Sequence, residues 1–591
     1  MQPQMSSNYT LRDRGLTLPL TLAFVSLAVT VVWMASTRHL HIDEPHNVFT
    51  MQLVMAWGDP GAGNPVDLHH VIGGLITRNL PTASQHYLVL RILFAAIFIT
   101  TMLGVGFALP VSPPTGTNAG NTKLGWQVLA PAVIALSMGG AWLHGFEIRH
   151  DLLQACGIVA FAWLIRSARD QVYGWGARWM AAAIIALMQL TSHKAFTLWI
   201  PALFLLAYTY GRHGNNGDRF TTRILSMVQE LARLSAPCAV AAAAGLGLLA
   251  SAGALSAYLD KLQEFANYSV VSRRSSSVPA FRTMLLASPV AFVLSFVSLC
   301  SVAIHFLRGL RVSLPRALDT ISPGVAMLAF CVVALIANPR PYSYNLVWVS
   351  AGLALATAEG LQLVLGRWWN RRTTLLALLV SASIATLFPL YRTPWFSQSM
   401  SEQMQTTKAV EAITSPQDRV LDGTGLVTSR QAPSRDWLLH SLFLKSYHRT
   451  PSAQFANIVK QTYPPVVILG HYRWRWLKRR DREAVAMWYR PASPTFWVLG
   501  YDLKSPDGEV VEIKRTGRYE VTGGSQLDGQ PILNPSVHLL SEGKVQVSGP
   551  GKVSIRWVGP KAPSLMEVEM PKVRQLYFRP SAAMLKWGYW K

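Results

Sequence analysis

Apolar runs of membrane-crossing length recur from Thr17 to about Leu390, and no other feature restricts the fold as strongly. A bilayer offers no water to unpaired peptide groups, so such runs must close their hydrogen bonds internally as helices. At about 20 residues per crossing, spans are expected at 17–36, 87–109, 127–144, 152–168, 178–191, 195–211, 236–256, 286–307, 323–338, 343–365 and 374–390, about eleven in all. Composition agrees: half of the 591 residues are hydrophobic and only 14% are charged, against roughly 25% in soluble proteins. The first run is long and lacks a small-residue cleavage exit, so it is expected to stay as a signal anchor.

Beyond Leu390 the texture turns polar and turn-rich. A helix over 402–413, a strand at 419–421, helices near 437–444 and 452–461 and a strand at 466–469 suggest a small α/β unit. Short strands at 496–503, 510–515, 519–522, 537–540, 545–548 and 553–557, separated by Gly and Asp-Gly turns, suggest a small β-sandwich. The expected fold is thus an α-helical polytopic membrane domain over 1–390, an α/β subdomain over 391–493 and a β-rich sandwich-like subdomain over 494–591.

The net charge of +24 is largely topology information. With the N-terminus inside, the inner connections collect Arg12, Arg14, Lys123, Arg166, Arg169, Arg212, Arg219, Arg223, Arg308, Arg311, Arg316, Arg367, Arg371 and Arg372, in agreement with the positive-inside rule. An odd number of spans then places the C-terminal domain on the outer, periplasmic face of an inner membrane, which disfavours nucleic acid as a partner. The cysteines, Cys156, Cys238, Cys300 and Cys331, lie in apolar spans without metal-ligand or paired spacing.

Asp43-Glu44, in His41-Ile42-Asp43-Glu44-Pro45, follows the first span directly. Carboxylates at a bilayer edge cost free energy unless water, a cation or a partner compensates them. Capping of a helix beginning near Pro45 is one reason for the pair; catalysis is the other. Moving a sugar from a phosphate-linked lipid needs a base for the acceptor hydroxyl but little acid, because the leaving phosphate is already a stable anion that cations can hold. Asp43 is the candidate base, and Glu44 shares that role or orients the acceptor and a possible metal.

Phe146-Glu147-Ile148-Arg149-His150-Asp151 forms a tight charged turn at the same boundary, with Glu147, Arg149 and Asp151 as candidate acceptor-side or supporting residues. Lys194, beside His193 at the junction of two spans, and Arg340, with Tyr342 and Tyr344 behind Pro339 and Pro341, are candidate donor-phosphate contacts; snorkelling or lipid headgroup binding is the ordinary alternative. Arg273 and Arg274, in a serine-rich loop, would close over a bound lipid-phosphosugar or simply be solvated. Asp59, Asp67 and His69 are candidate acceptor contacts in the first outer loop. The histidines there, His41, His46, His69 and His70, lack a helical metal-ligand pattern, so polar contacts are the first reading and a divalent metal stays open. In 471–480, arginines and lysine alternate with aromatics like an interfacial anchor.

The order and common sidedness of Asp43-Glu44, the Phe146–Asp151 turn, the Lys194 junction and Pro339-Arg340-Pro341-Tyr342, with a C-terminal outer domain, resemble the GT-C superfamily of polytopic glycosyltransferases. The likeness is greatest to the bacterial branch akin to protein mannosyltransferases and the lipid A aminoarabinose transferase. That resemblance implies an inverting transfer from a polyprenyl-phosphate monosaccharide to lipid A, another glycan or a protein, with Asp43 as base and Lys194 and Arg340 on the phosphate. An O-antigen ligase or polymerase should carry its main catalytic loop late in the membrane domain, whereas the densest acidic signal here comes first. A lipid-linked substrate transporter should show two homologous halves with broken helices, and no such repeat is visible.

Overall fold

A computed structural model describes residues 7–41, 43–58, 66–110, 125–138, 144–170, 174–211, 220–271, 288–338, 345–367, 399–433, 447, 454–471, 474, 477–523, 525–560, 562, 564–572 and 576–577. Its helices are α1 (Ser7–Thr37), α2 (Asp43–Met55), α3 (Leu68–Thr77), α4 (Ala83–Ala108), α5 (Trp126–Leu136), α6 (Asp151–Arg169), α7 (Trp175–Thr191), α8 (Phe196–Gly211), α9 (Phe220–Ser251), α10 (Leu255–Val271), α11 (Pro289–Leu310), α12 (Leu314–Leu318), α13 (Pro323–Ala337) and α14 (Leu346–Arg367). The C-terminal part adds α15 (Met400–Ala412), α16 (Gln454–Thr462) and α17 (Arg479–Trp488).

Among the described residues, six helical stretches are long and apolar enough to cross a membrane: Thr17–Thr37, Ala83–Ala108, Asp151–Arg169, Phe220–Ser251, Pro289–Leu310 and Leu346–Leu365. The expected spans near 127–144, 195–211 and 323–338 coincide with shorter apolar helices, and the one at 374–390 lies outside the described residues. At 1.5 Å per residue, a helix such as α5 falls well short of a bilayer core about 30 Å thick. The helix carrying the expected 236–256 span begins earlier, at Phe220, because a polar amphipathic segment continues the same hydrogen-bond ladder.

The bundle has an inside and an outside. Leu346–Leu365 is 83% buried and Asp151–Arg169 67%, whereas Thr17–Thr37, Phe220–Ser251 and Pro289–Leu310 are each 22% buried. Thus α14 and α6 form the centre, and α1, α9 and α11 present apolar side chains outward, where lipid can cover them. Close crossings use small residues, as is usual where lipid weakens any hydrophobic drive between helices. A Cβ on Gly360 of α14 would lie 2.0 Å from the Leu294 carbonyl oxygen of α11. The one acid of α14, Glu359, accepts from the backbone N–H of Gly324 at 2.8 Å and of Val325 at 3.2 Å, capping α13 from a neighbouring helix.

The C-terminal strands are β1 (Val420–Asp422), β2 (Val466–Ile468), β3 (Tyr489–Pro491), β4 (Phe496–Lys504), β5 (Glu509–Ile513), β6 (Gly517–Thr522), β7 (Ser525–Leu527), β8 (Gln530–Ile532), β9 (Ser536–Leu540), β10 (Gly543–Ser548) and β11 (Lys552–Trp557). One seven-stranded sheet runs β1-β2-β4-β11-β6-β9, with β3 also on β4, and a four-stranded sheet runs β5-β10-β7-β8. Among the described residues only β1 and β2 pair in parallel; β2 is antiparallel to β4 in the register Val467 to Trp497. The boundary expected at 493/494 therefore passes through one continuous sheet. The β7–β8 hairpin, turning at Asp528-Gly529 with positive φ at both, and helix α17 lie beyond the elements expected from sequence. In the stretch expected to anchor at an interface, Trp474 packs edge-on to Phe455 at 5.6 Å and Leu477 is buried, so these two close the core of the C-terminal domain.

This domain sits on the end of the bundle that carries α2. The Glu411 carboxylate accepts from the Ala83 N–H at 2.9 Å, the Tyr87 hydroxyl donates to the Leu426 carbonyl at 3.0 Å, and Gln403 exchanges hydrogen bonds with the backbone of Leu40.

Candidate functional site

The acidic pair opens α2, and helical geometry separates its two members by about 100°. Glu44 consequently points inward, and Asp43 stays part-exposed. The Glu44 side chain is fully buried; Arg91, reaching across from α4, donates Nε to Oε1 at 2.9 Å and Nη2 to Oε2 at 2.5 Å. The same carboxylate accepts from the N–H of His41 at 2.7 Å and of Ile148 at 3.2 Å. With its oxygens held in this way, Glu44 fastens the 38–44 loop and the 144–150 turn to α4. Both sequence readings of the pair, capping and chemistry, are compatible with this division of labour.

Asp43 is different: its side chain is 34% exposed. Arg149 Nη1 donates to Asp43 Oδ2 at 2.9 Å, and His41 Nδ1 lies 3.7 Å from the same oxygen. Burial holds the His41 imidazole below its usual pKa. Arg149 also reaches Asp151 with Nε at 3.4 Å, and Asp151 Oδ1 accepts from Asn345 Nδ2 at 3.0 Å. An arginine shared between two carboxylates fixes their orientation while leaving neither fully neutralised.

Glu147 sits one layer deeper, fully buried, accepting from His144 Nδ1 at 2.9 Å and from Arg38 Nη2 at 3.5 Å. Burial alone would raise its carboxyl, but His144, His41 and Arg38 outweigh it and hold the group below the usual carboxylate range. Glu147 thus stays charged and supports the turn.

The cations gather beside these acids. The chain leaves α7 through an extended Ser192 and makes a single 3-10 turn at His193–Ala195 before α8, and this tight junction places Lys194 close enough to His150 to act on its charge. Lys261, from α10, pairs with Asp67 Oδ2. Burial is the main reason that His69, His70 and His150 fall well below the ordinary histidine pKa, with Lys261 adding to it for all three and Arg149 and Lys194 adding to it for His150. Asp67 goes the other way, raised by burial despite Lys261. Asp67, His69 and His150 bring ligand-capable atoms within 4.8 Å of one another, the one such group among the described residues.

The structure therefore gathers Asp43, Glu44, Glu147, Arg149, Asp151, His69 and Lys194 at one end of the bundle. Arg340, Tyr342, Tyr344, Arg273, Arg274 and Asp59 lie outside the described residues. Sequence reasoning passed over Arg91, His144, Asn345 and Lys261. An arginine inside an apolar span was the available signal for Arg91, since such a charge needs a buried partner; Lys261 lies in an amphipathic helix that carries no comparable mark.

No family model matches the chain, and no curated protein does. Among solved structures it is similar to the crystal structure of the Archaeoglobus fulgidus oligosaccharyltransferase in complex with zinc and sulfate, at 11% identity and a TM-score of 0.39, over 90% of this chain and 94% of that one. A likeness at that level carries no argument about the fold or activity of this chain.

Proposed function

We propose that the protein is a membrane glycosyltransferase that moves a monosaccharide from a polyprenyl-phosphate donor to an envelope acceptor, lipid A, another glycan or a protein, on the outer face of the inner membrane. The observation that carries this reading is the contrast within the acidic pair: Glu44 is sequestered by Arg91, whereas Asp43 stays part-exposed and is aimed by Arg149, which shares the surroundings of His150 with Lys194 and Lys261. In this reading Asp43 takes the proton of the acceptor hydroxyl as that oxygen bonds to the anomeric carbon. The bond from that carbon to the phosphate oxygen breaks, its electrons leave with the phosphate, and the anomeric centre inverts. Lys194 stabilises the charge on the departing phosphate, a role for cations fixed in advance in a site shielded from water. Arg340, Tyr342, Tyr344, Arg273 and Arg274 are proposed to complete the phosphate and sugar contacts. Glu44, Glu147 and Asp151 position the groups that touch substrate.

The test is sugar transfer from a purified polyprenyl-phosphate donor to an envelope extract. Asp43→Asn keeps size and capping ability but removes the base, so transfer should slow by roughly 100- to 10,000-fold with thermal stability unchanged. Lys194→Ala should slow transfer while leaving the fold intact. Near-normal transfer by Asp43→Asn would remove the acid from the chemistry and leave it as a helix cap.

A further inference from the structure

We propose that Asp67, His69 and His150 form a binding site for one divalent transition-metal ion, with zinc the ion that this donor set favours. Two imidazoles and a carboxylate make a three-ligand set with a fourth position open, and imidazole suits zinc and its neighbours while calcium and magnesium prefer oxygen.

The burial pattern supports a missing partner. Neither ring nitrogen of His69 and not Oδ1 of Asp67 has a hydrogen bond among the described residues, although both side chains are almost completely buried. Buried polar atoms are ordinarily satisfied, and one ion at this cluster would satisfy a nitrogen of His69. The donors are also held in place. Asp67 is the N-cap of α3, and its N–H donates to His70 Nδ1 at 3.0 Å. His70 Nε2 is within 3.2 Å of Asn47 Oδ1, so that ring has both nitrogens engaged; it lies against His69 at 3.9 Å between centroids and fixes its plane. The His150 ring lies tilted beside His69, at 5.8 Å between centroids.

Donor atoms within 4.8 Å must close by up to about 1.5 Å to reach a tetrahedral zinc with bonds of about 2.0–2.1 Å. His150, the most exposed of the three, is the side chain that has room to turn. Lys261 holds Asp67 Oδ2 and competes electrostatically with an incoming cation. That competition gives the proposal a direction that a purely structural cluster lacks.

The experiment uses the full chain purified in detergent, stripped with a chelator and titrated with cobalt and then zinc, reading bound metal by mass spectrometry and the visible spectrum of the cobalt form. Wild type should bind one equivalent, with the absorption of a low-symmetry four-coordinate ion that zinc displaces. His70→Ala, which removes the ring behind His69, should weaken binding by about 10- to 100-fold, and His69→Gln with His150→Gln should abolish it. Lys261→Met should tighten binding. Absence of bound cobalt in wild type, binding unchanged in the His69→Gln, His150→Gln double variant, or binding loosened by Lys261→Met would each overturn the site. Because metal content is read directly, the result stands apart from that of the transfer assay.

Discussion

At the scale of single residues, two adjacent acids have opposite fates because the rotation of about 100° between them separates inside from outside. The Arg91 and Glu44 pair lies in surroundings where an unpaired charge is very costly, so removing either partner should be severe. Arg91→Met leaves Glu44 buried without its cation, and the expected loss is about 3–5 kcal/mol. Glu44→Gln strands Arg91 in the same way, whereas the Arg91→Met, Glu44→Gln double variant should recover much of the loss, since breaking a buried pair costs more than replacing it. Denaturant or thermal unfolding in detergent measures this. Single variants as stable as wild type would show that the pair fastens nothing. Asp43→Asn, by contrast, changes a part-exposed group and should leave the same curves in place.

At the scale of elements, the crossing of α14 and α11 depends on the missing side chain of Gly360. A Cβ there would meet the Leu294 carbonyl oxygen at 2.0 Å, which a helix backbone can relieve only by moving away. Gly360→Ala should therefore destabilise by about 1–3 kcal/mol, the usual cost of overpacking. Gly247, in α9, has no atom within 4 Å of the position a Cβ would take, and Gly247→Ala should be neutral or stabilising by up to about 1 kcal/mol. Equal melting temperatures for the two variants would remove the crossing as a tight contact. Helix positions were legible because apolar runs and their polar breaks are local: α4, α6, α11 and α14 begin and end within a few residues of the expected spans. Strands β4, β6 and β11 were legible for the same reason. Which strands share a sheet was not, because pairing β2 with β4 across the intervening α17 is a contact at long sequence separation. The site divided likewise. Asp43 and the 146–151 turn stand out by chemistry at a boundary, while Arg91, Asn345 and Lys261 join them only through folding.

At the scale of the whole molecule, polar function is segregated to one end. The acids, the cations and the C-terminal domain share that end, while Glu359, Arg223 and Asp319 make their bonds at the other, with Arg223 Nη1 donating to Asp319 Oδ2 at 2.9 Å. This polarity, with the arginine-rich connections, predicts opposite sides of the membrane for Ser505 and Arg311. In a cysteine-free background, Ser505→Cys should react with an impermeant thiol reagent applied to the outer face, and Arg311→Cys should be protected until the membrane is permeabilised. The reverse pattern would invert the topology and place Asp43 where a periplasmic acceptor has no access.

The hydrogen bonds between Leu40 and Gln403 also set a timetable. The two residues are 363 positions apart, and the Gln403 side chain further donates to the Leu576 carbonyl. At about 5–20 residues per second, the ribosome needs tens of seconds after making Leu40 to supply its partner. Throughout that interval the first span can already be inserted while the loop that bears Asp43 lacks the residue that holds it from above. The acid-bearing loop is thus fastened in two stages, to Arg91 and Arg149 first and to Gln403 later, and a nascent protein stalled before Ser399 carries the acid without the Gln403 bonds on Leu40.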